Sequence, residues 1–375
     1  MGTSSTQRKK RVAICSLSKS IRGYNVNIKL AAELEVLTTL DGGRSPFPFR
    51  HRMVEHSAKL AQYGIGFELG YCQAELHSCV SDSGAEVASS LSDRLQVLKD
   101  LLPENGHISM EQYVPEFAVP GLVMLWDQTL SVRHKAILSA LRKEEPSRWG
   151  RVGMIGAAQS LQYHISLHDA DGTAWSFDPR DVTEASECAN LLVNYLNAVA
   201  PYFACKIARR YVLPNPNKRI RLWFEYCSEW RKPQYWWHTR ESRIAWFDTL
   251  PRLIECKVGT SGEREGDWEL LPSCGSKVWD VVDAGLQRDL ARLSPPRGDK
   301  PWTIEFRPLS TLREMAWVAE VGDELVEIVQ QVCEYVTSDS VDTPDLFRVL
   351  GGRFGTLPSK KPTYKEWIRQ LDIRA

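Results

Sequence analysis

Residues 66–78 read GFELGYCQAELHS and residues 31–39 read AAELEVLTT. Side chains of an extended chain alternate between faces, so Glu33 and Glu35 share one face of one strand, and Gln73, Glu75 and His77 share one face of another. Acids gathered on a sheet face repel one another and resist burial. A chain that repeats the arrangement needs something cationic between them, and a hard metal ion is the natural candidate. Glu68 and Glu75 are seven residues apart, an odd spacing that puts them on opposite faces of a straight strand. Both reach one site only through a bend, which Gly70 can supply.

Two later stretches are patterned in the same way. SLQYHISLH, residues 160–168, sets Gln162, His164, Ser166 and His168 against Leu161, Tyr163, Ile165 and Leu167. WTIEFRPLS, residues 302–310, sets Glu305 and Arg307 against Ile304 and Phe306. Taken singly these residues have ordinary readings too: solvated glutamates, a core histidine, and an ion pair between Glu305 and Arg307.

In order and approximate spacing, residues 28–320 resemble the glutamate–cysteine ligases and related carboxylate–amine ligases, which are similar in fold to glutamine synthetase. The motifs are the E-x-E strand at Glu33 and Glu35, the acid pair Glu68 and Glu75, the strand of His164, and the E-x-R strand of Glu305 and Arg307. The first motif lacks the family's glycine, and Gln162 stands where relatives often carry a second histidine. The resemblance implies an α+β fold with a curved, mainly antiparallel sheet, the site on its concave face and helices on its convex face. It also implies an ATP-dependent amide-forming reaction through an acyl phosphate, with Mg2+ bridging the phosphates. Glu33, Glu35, Glu75 and Glu305 are then the metal ligands, joined by Glu68 and His164, with Glu75 and Arg307 catalytic and Arg307 against the transferred phosphoryl group. Two alternatives stay open: a catalytically silent relative that binds a ligand or partner in the same groove, and a phosphotransferase of similar fold.

Composition narrows the classes. The 375 residues carry 47 Lys plus Arg and 47 Asp plus Glu, a formal charge of zero, which argues against a general grip on nucleic acid or anionic lipid. Nine cysteines without a CxxC pair read as reduced thiols of a cytoplasmic protein, and Cys72 and Cys79 as packing residues. There is no run of about eighteen apolar residues and no charged-then-apolar leader. The start MGTSST fits a loose myristoylation pattern, but a disordered tail over residues 1–10 is the simpler expectation. Residues 11–375 then form a single catalytic domain that takes small amino-acid or amine substrates.

Along the chain, RVAICSLS predicts a strand, and Asp41–Gly43 a turn after the first acidic strand. Residues 44–52, RSPFPFRHR, read as an irregular surface loop because of their two prolines. Helical spacing appears at 53–62, 84–102, 127–141, 182–210, 278–293 and 311–336. Gly150, Gly153 and Gly156 do not form a phosphate loop, since no Gly-Lys-Ser/Thr follows. Residues 219–254 are rich in aromatics and arginines. By the resemblance, Arg240 and Arg243 hold phosphate or carboxylate; the alternative is a cation–aromatic surface or the interface of a homo-oligomer.

Overall fold

The computed structural model describes residues 26–68, 70–111, 159–176, a set of positions between 189 and 213, 291–294 and 300–337. The expected strand at RVAICSLS, the helix at 127–141, the glycines 150–156, Arg240 and Arg243 lie outside these residues.

The framework is one sheet. Its strands are β1 (Asn27–Leu40), β2 (Ser45–Pro46), β3 (Ile65–Phe67), β4 (Gln73–His77), β5 (Gly106–Ser109), β6 (Ser160–His168), β7 (Ala291–Ser294) and β8 (Thr303–Ser310). The order across it is β3-β4-β1-β6-β8-β7, with β2 and β5 paired to β1, and among the described residues every pairing is antiparallel. This is the expected α+β arrangement with a mainly antiparallel sheet.

Alternation sorts the two faces. Leu30, Ala32, Leu34 and Val36 of β1, Ala74 and Leu76 of β4, Tyr163 and Ile165 of β6, and Ile304 and Phe306 of β8 are all buried on the apolar face. Among the described residues, two long helices lie against it, α3 (Gly84–Leu101) and α4 (Met315–Thr337), together with helical positions between 189 and 210. Two shorter ones, α1 (Phe49–Met53) and α2 (Ser57–Gln62), precede β3. Val87, Leu91 and Leu98 are the buried stripe of α3, as its spacing predicts. Ser83 caps that helix by accepting from Glu86 N at 3.3 Å, while Glu86 Oε2 accepts from Asp82 N at 3.2 Å. Described positions between 189 and 210 are helical, and Phe203 from this stretch meets Phe306 edge-on at 5.7 Å.

The two long helices touch where neither carries a side chain. A Cβ on Gly84 would lie 2.0 Å from Ala319 O, and one on Gly322 would lie 2.9 Å from Leu30 Cδ2. The backbone therefore approaches closely, and Gly84 N donates to Asp323 Oδ1 at 2.6 Å. Below this contact Tyr163 O–H donates to Val318 O at 2.6 Å, tying the central strand to α4.

Several expectations need correction. Residues 66–78 are not one bent strand but a hairpin, β3 and β4, whose turn closes as Gln73 N donates to Gly70 O and Gly70 N to Gln73 Oε1. A Cβ on Gly70 would fall 2.4 Å from that amide oxygen, so glycine is needed for the approach. Residues 44–52 are not an irregular surface loop: Ser45–Pro46 pairs with β1, and α1 follows with Phe49 and Arg50 buried. Proline is tolerated beside a helix start and in short edge strands, so it did not exclude structure here. Of the helix expected at 278–293, residues 278–290 lie outside the described residues, and 291–293 belong instead to β7, which pairs with β8; strand pairing overrides a short periodic signal. Cys72 is buried as expected, whereas Cys79 is exposed and its Sγ accepts from Arg94 Nη2 at 3.3 Å. Among the described residues no helix is long and apolar enough to cross a membrane.

Candidate metal centre

Opposite the helices, the sheet brings the acidic residues to one place. In the centre lies β1, whose Glu33 pairs with His77 of β4 on one side and Gln162 of β6 on the other. Glu35 pairs with Glu75, and Ala31 with His164, which in turn pairs with Glu305 of β8. Ala31 presents only a methyl, so the imidazole of His164 can lean diagonally toward Glu33. The four chemistry-bearing strands are thus neighbours, although they are distant in sequence.

A bulge sets the last of them. Leu161 pairs with Leu309 and Tyr163 with Phe306, so two steps along β6 match three along β8. The extra residue lies at Arg307–Pro308, where a missing N–H costs no ladder bond. Its effect is a change of phase: Ile304 and Phe306 point into the core, Arg307 stays on the acidic face, and Leu309 returns to the core.

The distances are short. His164 Nε2 lies 3.1 Å from Glu33 Oε1, His77 Nδ1 lies 3.4 Å from the same oxygen, and His77 Nε2 lies 3.2 Å from Glu75 Oε2. Arg307 Nε contacts Glu305 Oε1 at 2.9 Å and donates to Gln162 Oε1 at 3.0 Å. The same Gln162 donates through Nε2 to Glu35 Oε1 at 2.9 Å and to Ser160 Oγ at 3.1 Å. Side-chain exposure rises from 3% at Glu305 through 16% at His164 to 29% at His77, so the site is closed at its β8 end and opens toward β4.

Two sets of donor atoms converge, each within 4.8 Å: Glu33, His164 and Glu305, and Glu33, Glu75 and His77. His164 Nε2 and His77 Nδ1 are buried and have no hydrogen-bond partner, despite the nearby carboxylate oxygen. A hydrogen bond needs the N–H aimed along the line to the oxygen. Two ligands of one ion instead aim their lone pairs at a third point, which these contacts allow. His164 has its other nitrogen, Nδ1, 3.3 Å from Thr303 Oγ1, the kind of outer contact that fixes the orientation of a metal-binding imidazole. The residues present therefore fit a divalent cation.

The electrostatics follow from the crowding. Burial and the charge of Glu33 push Glu75 up to about 8, opposed by His77. Burial lowers His77, but Glu75 and Glu33 outweigh it and lift the imidazole to about 10. Burial would raise Glu33, yet His164 and His77 hold it well below the usual carboxylate range.

Of the expected ligands, Glu33, Glu75, His164 and Glu305 fall into the two triads. Glu35 lies on the same face, with its Oε1 taken by the Gln162 amide. Glu68 follows the end of β3, close enough to add to the upward push on Glu75, and its carbonyl accepts from Arg50 Nη1 at 3.3 Å. Three participants were not assigned from sequence: His77, Gln162 as the link from Glu35 to Arg307, and Thr303 behind His164. The period-two pattern QAELH did place His77 on the right face.

No family model matches the chain, and no curated protein matches it. Among solved structures, it is similar to a glutamate–cysteine ligase from Francisella tularensis in complex with AMP, at 14% identity and a TM-score of 0.47, covering 93% of this chain and 77% of that one. It is also similar to a novel glutamine synthase homolog, at 13% identity and a TM-score of 0.40, covering 91% of this chain and 67% of that one. A third is a bifunctional glutathione synthetase from Pasteurella multocida, at 13% identity and a TM-score of 0.41, where 97% of this chain spans 46% of the other.

Proposed function

We propose that the acidic face binds divalent cations together with ATP, and that the chain is an ATP-dependent carboxylate–amine ligase. The observation that carries this reading is the convergence of Glu33, His164 and Glu305 from three strands, with the Arg307 guanidinium held against Glu305. Mg2+ or a divalent cation of similar size, when bound there, neutralises nucleotide phosphate charge. In the proposed reaction a carboxylate oxygen of the amino-acid substrate attacks the γ-phosphorus and ADP leaves; an amine then displaces phosphate from the acyl phosphate to give the amide. Arg307 supplies fixed positive charge beside the transferred phosphoryl group, and Gln162 and Glu305 hold that guanidinium in place. Glu75, at the more open end, faces the substrate side. Glu35 and Glu68 are proposed as additional ligands, and Arg240 and Arg243 as holders of phosphate or carboxylate.

The experiment is an ATP-consumption screen over amino acids and amines with Mg2+ or Mn2+. A ligase consumes ATP only when cation, carboxylate and amine are all present, and transfers 18O from the labelled carboxylate into phosphate. Glu305→Gln abolishes this turnover. Nucleotide-independent partner binding, with no ATP consumed under any combination, would establish the silent binding protein instead.

A further inference from the structure

We propose that Ser166, His168 and the carbonyl of Gly172 act as a nucleophile, its base and the base's orienter, and that Ser166 accepts acyl groups from activated carboxylic acids, namely esters and acyl phosphates. Neither side chain belongs to the two donor triads. The inference goes beyond the cation site and does not rest on the ligase reaction, since a ready-made acyl donor tests it without ATP.

The hydrogen bonds define the roles. His168 Nδ1 lies 3.0 Å from Gly172 O, and a carbonyl can only accept, so Nδ1 carries the proton. In the neutral ring Nε2 is then a bare lone pair. It lies 2.9 Å from Ser166 Oγ, so the hydroxyl donates to it. A hydroxyl bonded to an imidazole whose far nitrogen is held by a third group is the arrangement that activates a serine. Here the third group is a carbonyl, which fixes the tautomer without adding charge.

A closed turn after β6 aims that carbonyl. Gly172 has φ +87°, where a side chain would be strained, and its N–H donates to Asp169 O at 2.9 Å. Asp169 N donates to Thr173 O, and Thr173 N to Asp171 Oδ1, both at 2.9 Å. Trp175 fastens the returning chain, its N donating to Leu167 O at 2.8 Å and its Nε1 to Asp169 Oδ1 at 2.6 Å. Ser166 is buried and His168 half-buried, so the hydroxyl is kept from bulk water with its base at the rim. Ser166 also shares a face with His164, about 7 Å away along β6, which sets it beside the candidate metal centre.

In the proposed step Ser166 Oγ attacks the carbonyl carbon of the acyl donor, and its proton passes to His168 Nε2. The bond from that carbon to the leaving oxygen breaks, and the alcohol or phosphate departs with the proton. An amine or water then attacks the acyl-serine and gives up a proton through His168 to Oγ, which frees Ser166 and releases the amide or acid.

The test incubates the full chain with p-nitrophenyl acetate, and separately with acetyl phosphate, in the absence of ATP, and locates acetyl groups by peptide mass spectrometry. Acetylation of Ser166 by both donors is expected; acetylation by one alone supports the proposal and narrows the donor class to it. His168→Gln, which keeps a hydrogen-bonding group but cannot take the proton, should slow the reaction about 100-fold, as expected for a lost general base, with an unchanged unfolding midpoint. Ser166→Ala should abolish it. Should that variant fail to fold, Ser166→Cys, which keeps a nucleophile of similar size, should still be acetylated at position 166. Acetyl groups confined to lysines, no acetylation at all, or a rate at Ser166 indifferent to His168→Gln would overturn the proposal. Acetylated Ser166 in a chain that consumes no ATP would remove only the ligase reading; ATP consumption by a chain whose Ser166 resists both donors would remove only this one.

Discussion

His164 turns Nε2 toward Glu33 Oε1 at 3.1 Å while its Nδ1 lies 3.3 Å from Thr303 Oγ1, so one ring is steered from β8 onto an acid of β1. An imidazole with an outer partner on one nitrogen presents the other in a fixed tautomer and direction.

Thr303→Val keeps the shape and removes that partner. Mn2+ affinity should fall about 10-fold, in the range observed when outer partners of metal ligands are lost. Isothermal titration of the folded variant checks it; unchanged affinity would show that Thr303 does not orient the ring.

Stability of the cation-free protein should depend on pH through this cluster. Glu75 moves up from its ordinary 4.5 to about 8, so between these values the native state holds a proton that the unfolded chain releases, and its contribution is lost as pH rises through 8. His77, raised from 6.5 to about 10, loses its contribution as pH rises through 10. Glu33 acts oppositely, its held-down value giving stability that is lost on acidification below the usual carboxylate range. Thermal unfolding of the chelated chain should therefore weaken from about pH 5 toward pH 10. Because the cation must displace these protons, Mn2+ affinity should rise over the same range and protons should be released on binding.

Gly84→Ala should destabilise the fold even though alanine is the better helix former. The propensity gain is at most about 1 kcal/mol. The new methyl would meet the Ala319 carbonyl at 2.0 Å, and the resulting shift of packed backbone costs about 1–3 kcal/mol. A lower denaturant midpoint with an unchanged slope is expected.

Gln162→Leu should lower ATP turnover at least 10-fold, mainly in kcat, because the Arg307 guanidinium loses its 3.0 Å partner. It also takes the amide donor from buried Glu35, costing about 1–3 kcal/mol. Parallel steady-state kinetics and unfolding curves separate the two effects. Turnover equal to wild type would mean that Arg307 does not act on the phosphoryl group.

Much of the site was legible because strand alternation is a local property. Glu33 and Glu35, then Glu75 and His77, then Gln162 and His164, share faces by backbone geometry alone, and the pattern shows without any partner strand. The meeting of His77 with Glu33 was not legible, because it depends on the pairing of β4 with β1. The phase change at Pro308 was also hidden: a bulge is defined by two strands, and one strand's sequence shows only a proline.

The chain's own residue order determined the amphipathic strands, the stripe of α3 and the gathering of acids on faces, since each follows from repeats of two or about 3.6 residues. Tertiary structure decided that β1 lies between β4 and β6, that residues 66–78 fold back as a hairpin, and that residues 291–294 pair as a strand with β8. These outcomes turn on burying the apolar face under helices, two of which meet at Gly84 and Gly322. Contacts between residues far apart in the chain set that energy, and no local pattern records it.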